Sequence, residues 1–402
     1  TAAAFNDDED QTRWFYFKSN GKMIKSDEGD RTKDKTINGK KYAFDQYGAM
    51  VAEWSLDSDD EKEASDNVGH YAASTNQSVA SVSEAWQGKG NYAQYSKAWK
   101  YFNSVEDGAR VSKGWFKVVP AEYLNEGKYD DDEDFWYYAD GSGNLYAGEF
   151  KTIKGKKYAF RNDGRMLTGL KFILEDDDND NLTVYADDDG TYNFDNEDDF
   201  LDNAVDFYEP GGYKCYYFGG GDDGAMRTNK TTVEIDGENH NFYFEKSGSK
   251  KGAGVTGEKD DKLYQSGMLL KADSDDKYIV VDKTTKYKTV DGQKVLDYVT
   301  YNKLDDAKDF MAQDDVLESN TAVDADGKID LGNNNKKKAE DISEAYTIRY
   351  KAYGSSDMTT HEYFLVNTSG KVIDNRGKNK DGSDYYYVTD NSGKITNIYV
   401  ED

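Results

Sequence analysis

One segment occurs twice along this chain of 402 residues: Thr36-Ile-Asn-Gly-Lys-Lys-Tyr-Ala-Phe-Asp-Gln-Tyr-Gly-Ala-Met50, and again Thr152-Ile-Lys-Gly-Lys-Lys-Tyr-Ala-Phe-Arg-Asn-Asp-Gly-Arg-Met166. Each copy reads as a strand, a turn and the start of a second strand. Lys-Lys-Tyr-Ala-Phe alternates polar and aromatic side chains, three turn-forming residues follow, and the glycine supplies the positive φ of a tight hairpin. The methionine after it returns an apolar side chain to the buried face. A hairpin alone is marginal in water, so a chain built of such units must stack them to bury its rings.

Aromatic clusters followed by a turn glycine recur along the whole chain. They precede Gly21, Gly48, Gly108, Gly143, Gly164, Gly224, Gly248, Gly267, Gly370 and Gly393. A spacing of 116 positions separates Gly48 from Gly164 and Gly108 from Gly224, which reads as a duplicated three-hairpin unit. The predicted organisation is a first unit over residues 1–130 with an insertion at about 55–95, and a second over 131–235 with an insertion at about 171–212. A third, divergent unit over 236–402 carries an insertion at about 273–355. The expected fold class is mainly β: stacked β-hairpin repeats, solenoid-like, with partly helical insertions and two lobes. Ser78 to Trp86, Leu304 to Leu317 and Lys337 to Ala345 read as helical.

Only 36% of the residues are hydrophobic, but 33 Tyr, 18 Phe and 6 Trp supply large buried areas from few side chains. The net charge of -28 argues against nucleic acid and against anionic membrane surfaces. No apolar run is long enough to span a bilayer, so no membrane insertion is expected. Cys215 stands alone and is read as buried and inert, since it corresponds to Trp99 across the duplication.

The residues Asn38 to Met50, with Gly114-Trp115 following Gly108, resemble the cell-wall-binding repeat family, which includes choline-binding and glucan-binding repeats of Gram-positive surface proteins. The resemblance implies stacked hairpins with ligand in aromatic clefts between neighbours, and an extracellular, cell-surface location. It also implies that rings five and seven positions before the turn glycine face ligand, whereas those at four and six pack the core. The first class holds Trp14 and Tyr16, then Trp136 and Tyr138; the two repeated copies carry Lys41 with Ala43, and Lys157 with Ala159, in those places. Tyr42, Phe44, Tyr158 and Phe160 fall on the core face.

Three function classes follow. The leading expectation is a non-catalytic carbohydrate-binding module that takes an α-glucan such as starch on exposed rings: Trp86, Trp99, Tyr101, Trp115, Trp136 and Tyr138. The alternatives are a choline or cell-wall-polymer anchor, which needs a box of about three rings around a quaternary ammonium, and a structural surface spacer. A larger surface assembly through other parts of the protein is a further expected partner. No cofactor, metal or catalytic group is expected. His70, His240 and His361 are scattered without a nucleophile motif, and acidic runs such as Asp130 to Asp134, Glu175 to Asp180 and Asp324-Ala-Asp-Gly-Lys-Ile-Asp330 lack calcium-loop spacing.

Overall fold

The computed structural model describes residues 13–28, 30, 32–56, 92–122, 124–176, 181–184, 194–208, 212–304, 317–350 and 356–402. They divide into two compact units, Thr1–Thr191 with Tyr217–Met226, and Tyr192–Tyr216 with Arg227–Asp402. The fold is mainly β, built from antiparallel hairpins as expected.

In the first unit, Lys33–Ile37 pairs with Lys40–Phe44 and Glu53–Leu56 with Trp99–Phe102. Gly114–Val118 then pairs with Phe135–Ala139, and Glu149–Ile153 with Lys156–Phe160. All ten turn glycines named above have φ between 57° and 98°. A side chain there would be strained whatever room it had.

Consecutive hairpins are keyed together by one contact. The residue two positions past a turn glycine packs beneath the glycine of the next hairpin. A Cβ added to Gly48 would lie 2.7 Å from Met23, one on Gly108 2.3 Å from Met50, and one on Gly224 2.2 Å from Met166. Arg110 fills this place under Gly143 and Leu145 under Gly164. Backbone bonds run beside it: the Arg110 amide donates to the Lys41 carbonyl at 2.8 Å, and 116 residues later the Met226 amide donates to that of Lys157, also at 2.8 Å. The duplicated sequence thus makes duplicated joints.

A second device closes the turns. In Asp45-Gln-Tyr-Gly48 the Asp45 carboxylate accepts from the amides of Tyr47 and Ala49, both at 2.8 Å. Asp140, Asn367 and Asp390 repeat this bonding at their own turns. So does Asp324, which takes the amides of Asp326 and Lys328 as well as the Lys336 ammonium. The acidic run at 324–330 is therefore a hairpin turn whose carboxylate is engaged by the chain itself.

The insertions are partly helical, with helices at Tyr92–Lys97 and Glu197–Tyr208. The expected helix at 78–86 lies outside the described residues, as do residues 305–316; Leu317 opens the strand Leu317–Ser319. Lys337 to Ala345 is not a helix. Lys336–Lys338 is a strand, Ala339–Asp341 a single 3₁₀ turn, and Ile342–Ile348 a strand between Leu317–Ser319 and Ile395–Glu401. Its apolar residues Ile342, Ala345 and Ile348 recur at a helical spacing for two reasons: a register shift after Ile342 puts Ile342 and Ala345 into one apolar cluster, and Ile348 packs from the opposite face into another.

The insertion at 273–355 is dominated by a long hairpin, Tyr278–Val290 with Gln293–Leu304, and Thr359–Asn367 adds a third strand. Asp291 and Gly292, at φ 52° and 76°, form the two-residue turn that matches strand twist.

Candidate functional site

The expected ring set does not gather in one place. Trp86 lies outside the described residues. Trp99 is fully buried, edge-on to Trp54 at 6.3 Å and to Tyr95 at 6.1 Å, so it packs the core and presents no face to a ligand. The helix Tyr92–Lys97 covers it, a contact that hairpin periodicity does not reveal. Tyr101 is stacked on Phe116 at 4.9 Å with 12° between planes, and burial, followed by Glu53 and Asp134, pushes its phenol up to about 12. It too is occupied by packing.

Trp115, Trp136 and Tyr138 do converge, because Gly114–Val118 and Phe135–Ala139 are paired with Trp115 opposite Tyr138 and Lys117 opposite Trp136. Tyr138 lies against Tyr146, 5.2 Å away and 7° from parallel, so one of its faces is covered. Trp115 and Trp136 stand nearly perpendicular, 6.4 Å apart at 89°, and Tyr158 from the next hairpin closes on Trp115 at 4.9 Å and 63°. These three rings, with Met166, Asp222 and Asp223, line a cleft of about 210 Å³. One water occupies ~30 Å³ of liquid, so the space admits a compact organic group.

Every member is positioned by the repeat. Trp115 follows the Gly114 that begins its strand, and Trp136 sits seven positions before Gly143. Tyr158 and Met166 belong to the repeated segment, and Asp222-Asp223 is the turn that Gly224 closes over Met166. Tyr158, predicted for the core face, is indeed 9% exposed, yet its remaining surface borders the cleft.

The rim is acidic. Lys117 Nζ lies 3.1 Å from Asp222, and this hydrogen bond is the main reason that carboxyl sits below its ordinary range. The Trp136 indole is a lesser cause; its N–H has no partner at hydrogen-bond geometry, so Lys117 carries the effect. Burial first, and then the negative charge of Asp223, raise the Tyr158 phenol. Lys117, whose ammonium also lies 6.0 Å from the centre of the Trp136 ring, offsets one of the two rim carboxylates.

Sequence reasoning missed Tyr158 as a lining residue, together with Met166, Asp222 and Asp223. The signal for Met166 was the recurrence of an apolar residue two places after the turn glycine. Trp14, Tyr42 and Met50 hold the places of Trp136, Tyr158 and Met166 in the earlier hairpins, and the Met50 amide donates to Trp14 O as that of Met166 does to Trp136 O, both at 2.8 Å.

No family model and no curated protein matches the chain. Among solved structures it is similar to the modular autolysin LytC from Streptococcus pneumoniae at 19% identity and a TM-score of 0.27, covering 66% of this chain and 38% of that one. It is also similar to choline binding protein F from Streptococcus pneumoniae, at 15% identity and a TM-score of 0.24 over 96% of this chain and 97% of that one. The choline binding domain of Spr1274, from the same organism, is 20% identical with a TM-score of 0.17, covering 33% and 92%.

Proposed function

We propose that this chain is a non-catalytic cell-surface module that binds choline, or a like quaternary ammonium group, on a cell-wall polymer. The observation that carries it is the three-walled cleft of Trp115, Trp136 and Tyr158, floored by Met166 and edged by Asp222 and Asp223. Rings set at 89° and 63° enclose a point rather than form a ladder. A rounded cation gains from several π faces at once, by about 0.5–2 kcal/mol each. An α-glucan needs flat, open ring faces in series. Of the rings expected to carry one, Trp99 and Tyr101 are packed and Tyr138 is half covered. The geometry therefore favours the choline alternative over starch.

Titration calorimetry of the whole chain with choline, and separately with maltooligosaccharides, tests this. Saturable heat from choline alone is expected. Trp115→Ala and Trp136→Ala should each weaken it by about 1–3 kcal/mol, as loss of a buried aromatic anchor does. Heat from maltooligosaccharides alone would return the α-glucan reading, and none from either ligand would leave a structural spacer.

A further inference from the structure

The second unit contains a cleft of opposite character. About 350 Å³ in volume, it lies among the strands Asn229–Ile235, Glu238–Phe244 and Lys262–Gln265 and the turn at Asn367–Gly370. Lys230, Lys262 and Lys271 reach it from separate elements, and Thr231, Thr232, Asn241, Thr368 and Ser369 add hydroxyl and amide groups. Phe242, Tyr264 and Leu269 form an apolar floor. Among the described residues, no Asp or Glu lines it.

That composition is unusual for a chain with 79 acidic against 51 basic residues. We propose that this cleft is a binding site for a phosphate ester, the anion held by the lysines and its alcohol part by the hydroxyl-bearing strands. This goes beyond the choline reading and does not rest on it.

The charges are placed for this. Lys262 Nζ donates to the Ser369 carbonyl at 2.6 Å, which ties the Asn367–Gly370 turn against the cleft. Packing fixes the same turn from the other side, because Gly370, at φ 77°, sits on Leu269 with room for no Cβ (2.8 Å). Lys262 and Lys271 are half-buried in the cleft wall. Lys230 is exposed and meets Asp260 only at 3.6 Å on the rim, a weak contact that an incoming anion can replace. The net charge of -28 does not forbid an anion, since screening at physiological salt cuts off carboxylates beyond about 8 Å. Ammonium–phosphate bonds are charge-assisted and short-ranged.

The test is calorimetric titration of the full chain, at constant ionic strength, with glycerol 1-phosphate, inorganic phosphate and glycerol. Saturable binding of glycerol 1-phosphate is expected, with weaker binding of inorganic phosphate and none of glycerol. The double variant Lys262→Gln/Lys271→Gln should weaken it about tenfold or more, in line with loss of charged hydrogen bonds. Lys230→Glu, an exposed rim change that leaves the packing intact, should weaken it several-fold, whereas Lys338→Gln on another sheet should change nothing. Choline affinity should be the same in every one of these variants, which separates failure here from failure of the choline reading. Absence of saturable heat from either phosphate, or equal affinity in Lys230→Glu and the parent chain, would overturn the proposal.

Discussion

Gly224 and Met166 hold each other in place. The glycine adopts φ 62° and leaves no space for a methyl group above the methionine sulfur. Gly224→Ala therefore combines backbone strain with a clash, and is expected to lower stability by about 2–4 kcal/mol in urea unfolding. Since Met166 floors the cleft, choline affinity should fall as well. Asp163 and Arg165 form a different kind of joint, 3% and 4% exposed, with Arg165 Nε 2.6 Å from Asp163 and Asn125 donating to the same carboxylate at 2.7 Å. Burial by itself would raise the Asp163 carboxyl, but Arg165 and Asn125 outweigh it and its pKa is lowered. A lowered folded pKa contributes stability above the unfolded value of about 4, lost as pH falls through the folded value. Acid unfolding of Asp163→Asn should thus be shallower below pH 4 than that of the parent chain. At neutral pH the variant should be less stable by about 3–5 kcal/mol, the cost of a buried ion left alone.

At the scale of the hairpin, the turn carboxylates are the testable feature. Asp390 Oδ1 accepts from the amides of Ser392 and Lys394 at 2.8 and 3.0 Å and from the Ser392 hydroxyl at 2.7 Å. Asp390→Ala strands those donors near the surface, and a loss of about 1–2 kcal/mol is expected by thermal or urea unfolding, with Asp390→Asn recovering most of it. The hairpins themselves were legible from sequence, because period-2 aromatics and a glycine at fixed spacing are local signals. Lys337 to Ala345 reads as a helix although it is not one, because a register shift after Ile342 and burial of both strand faces give a strand the apolar spacing of a helix. The cleft was legible only in part. Trp115 and Trp136 carried recognisable positions, but Tyr158 was assigned to the core by face parity, and Asp222-Asp223 is brought over it by a hairpin some 60 residues further on. Burial of Trp99 beneath the helix Tyr92–Lys97 depends on a long-range contact that no periodicity encodes.

For the molecule as a whole, the charge of -28 separates the two ligand classes by their salt response. A cation drawn to the acidic rim of the cleft should bind several-fold more weakly as the screening length shrinks from about 30 Å at 0.01 M salt to about 8 Å at 0.15 M. A neutral glucan should be indifferent, so titrations at the two ionic strengths separate them. Part of the acidic content lies in the turns, where Asp45, Asp140, Asp324 and Asp390 serve the backbone. The keyed contact between successive turn glycines has a consequence for ancestry. Each hairpin carries one half of the joint to its predecessor and one half of the joint to its successor, so tandem copying of a segment generates matched joints without any new substitution. Copy number can drift by unequal recombination while every junction remains sound, and individual copies are then free to lose or gain rings independently.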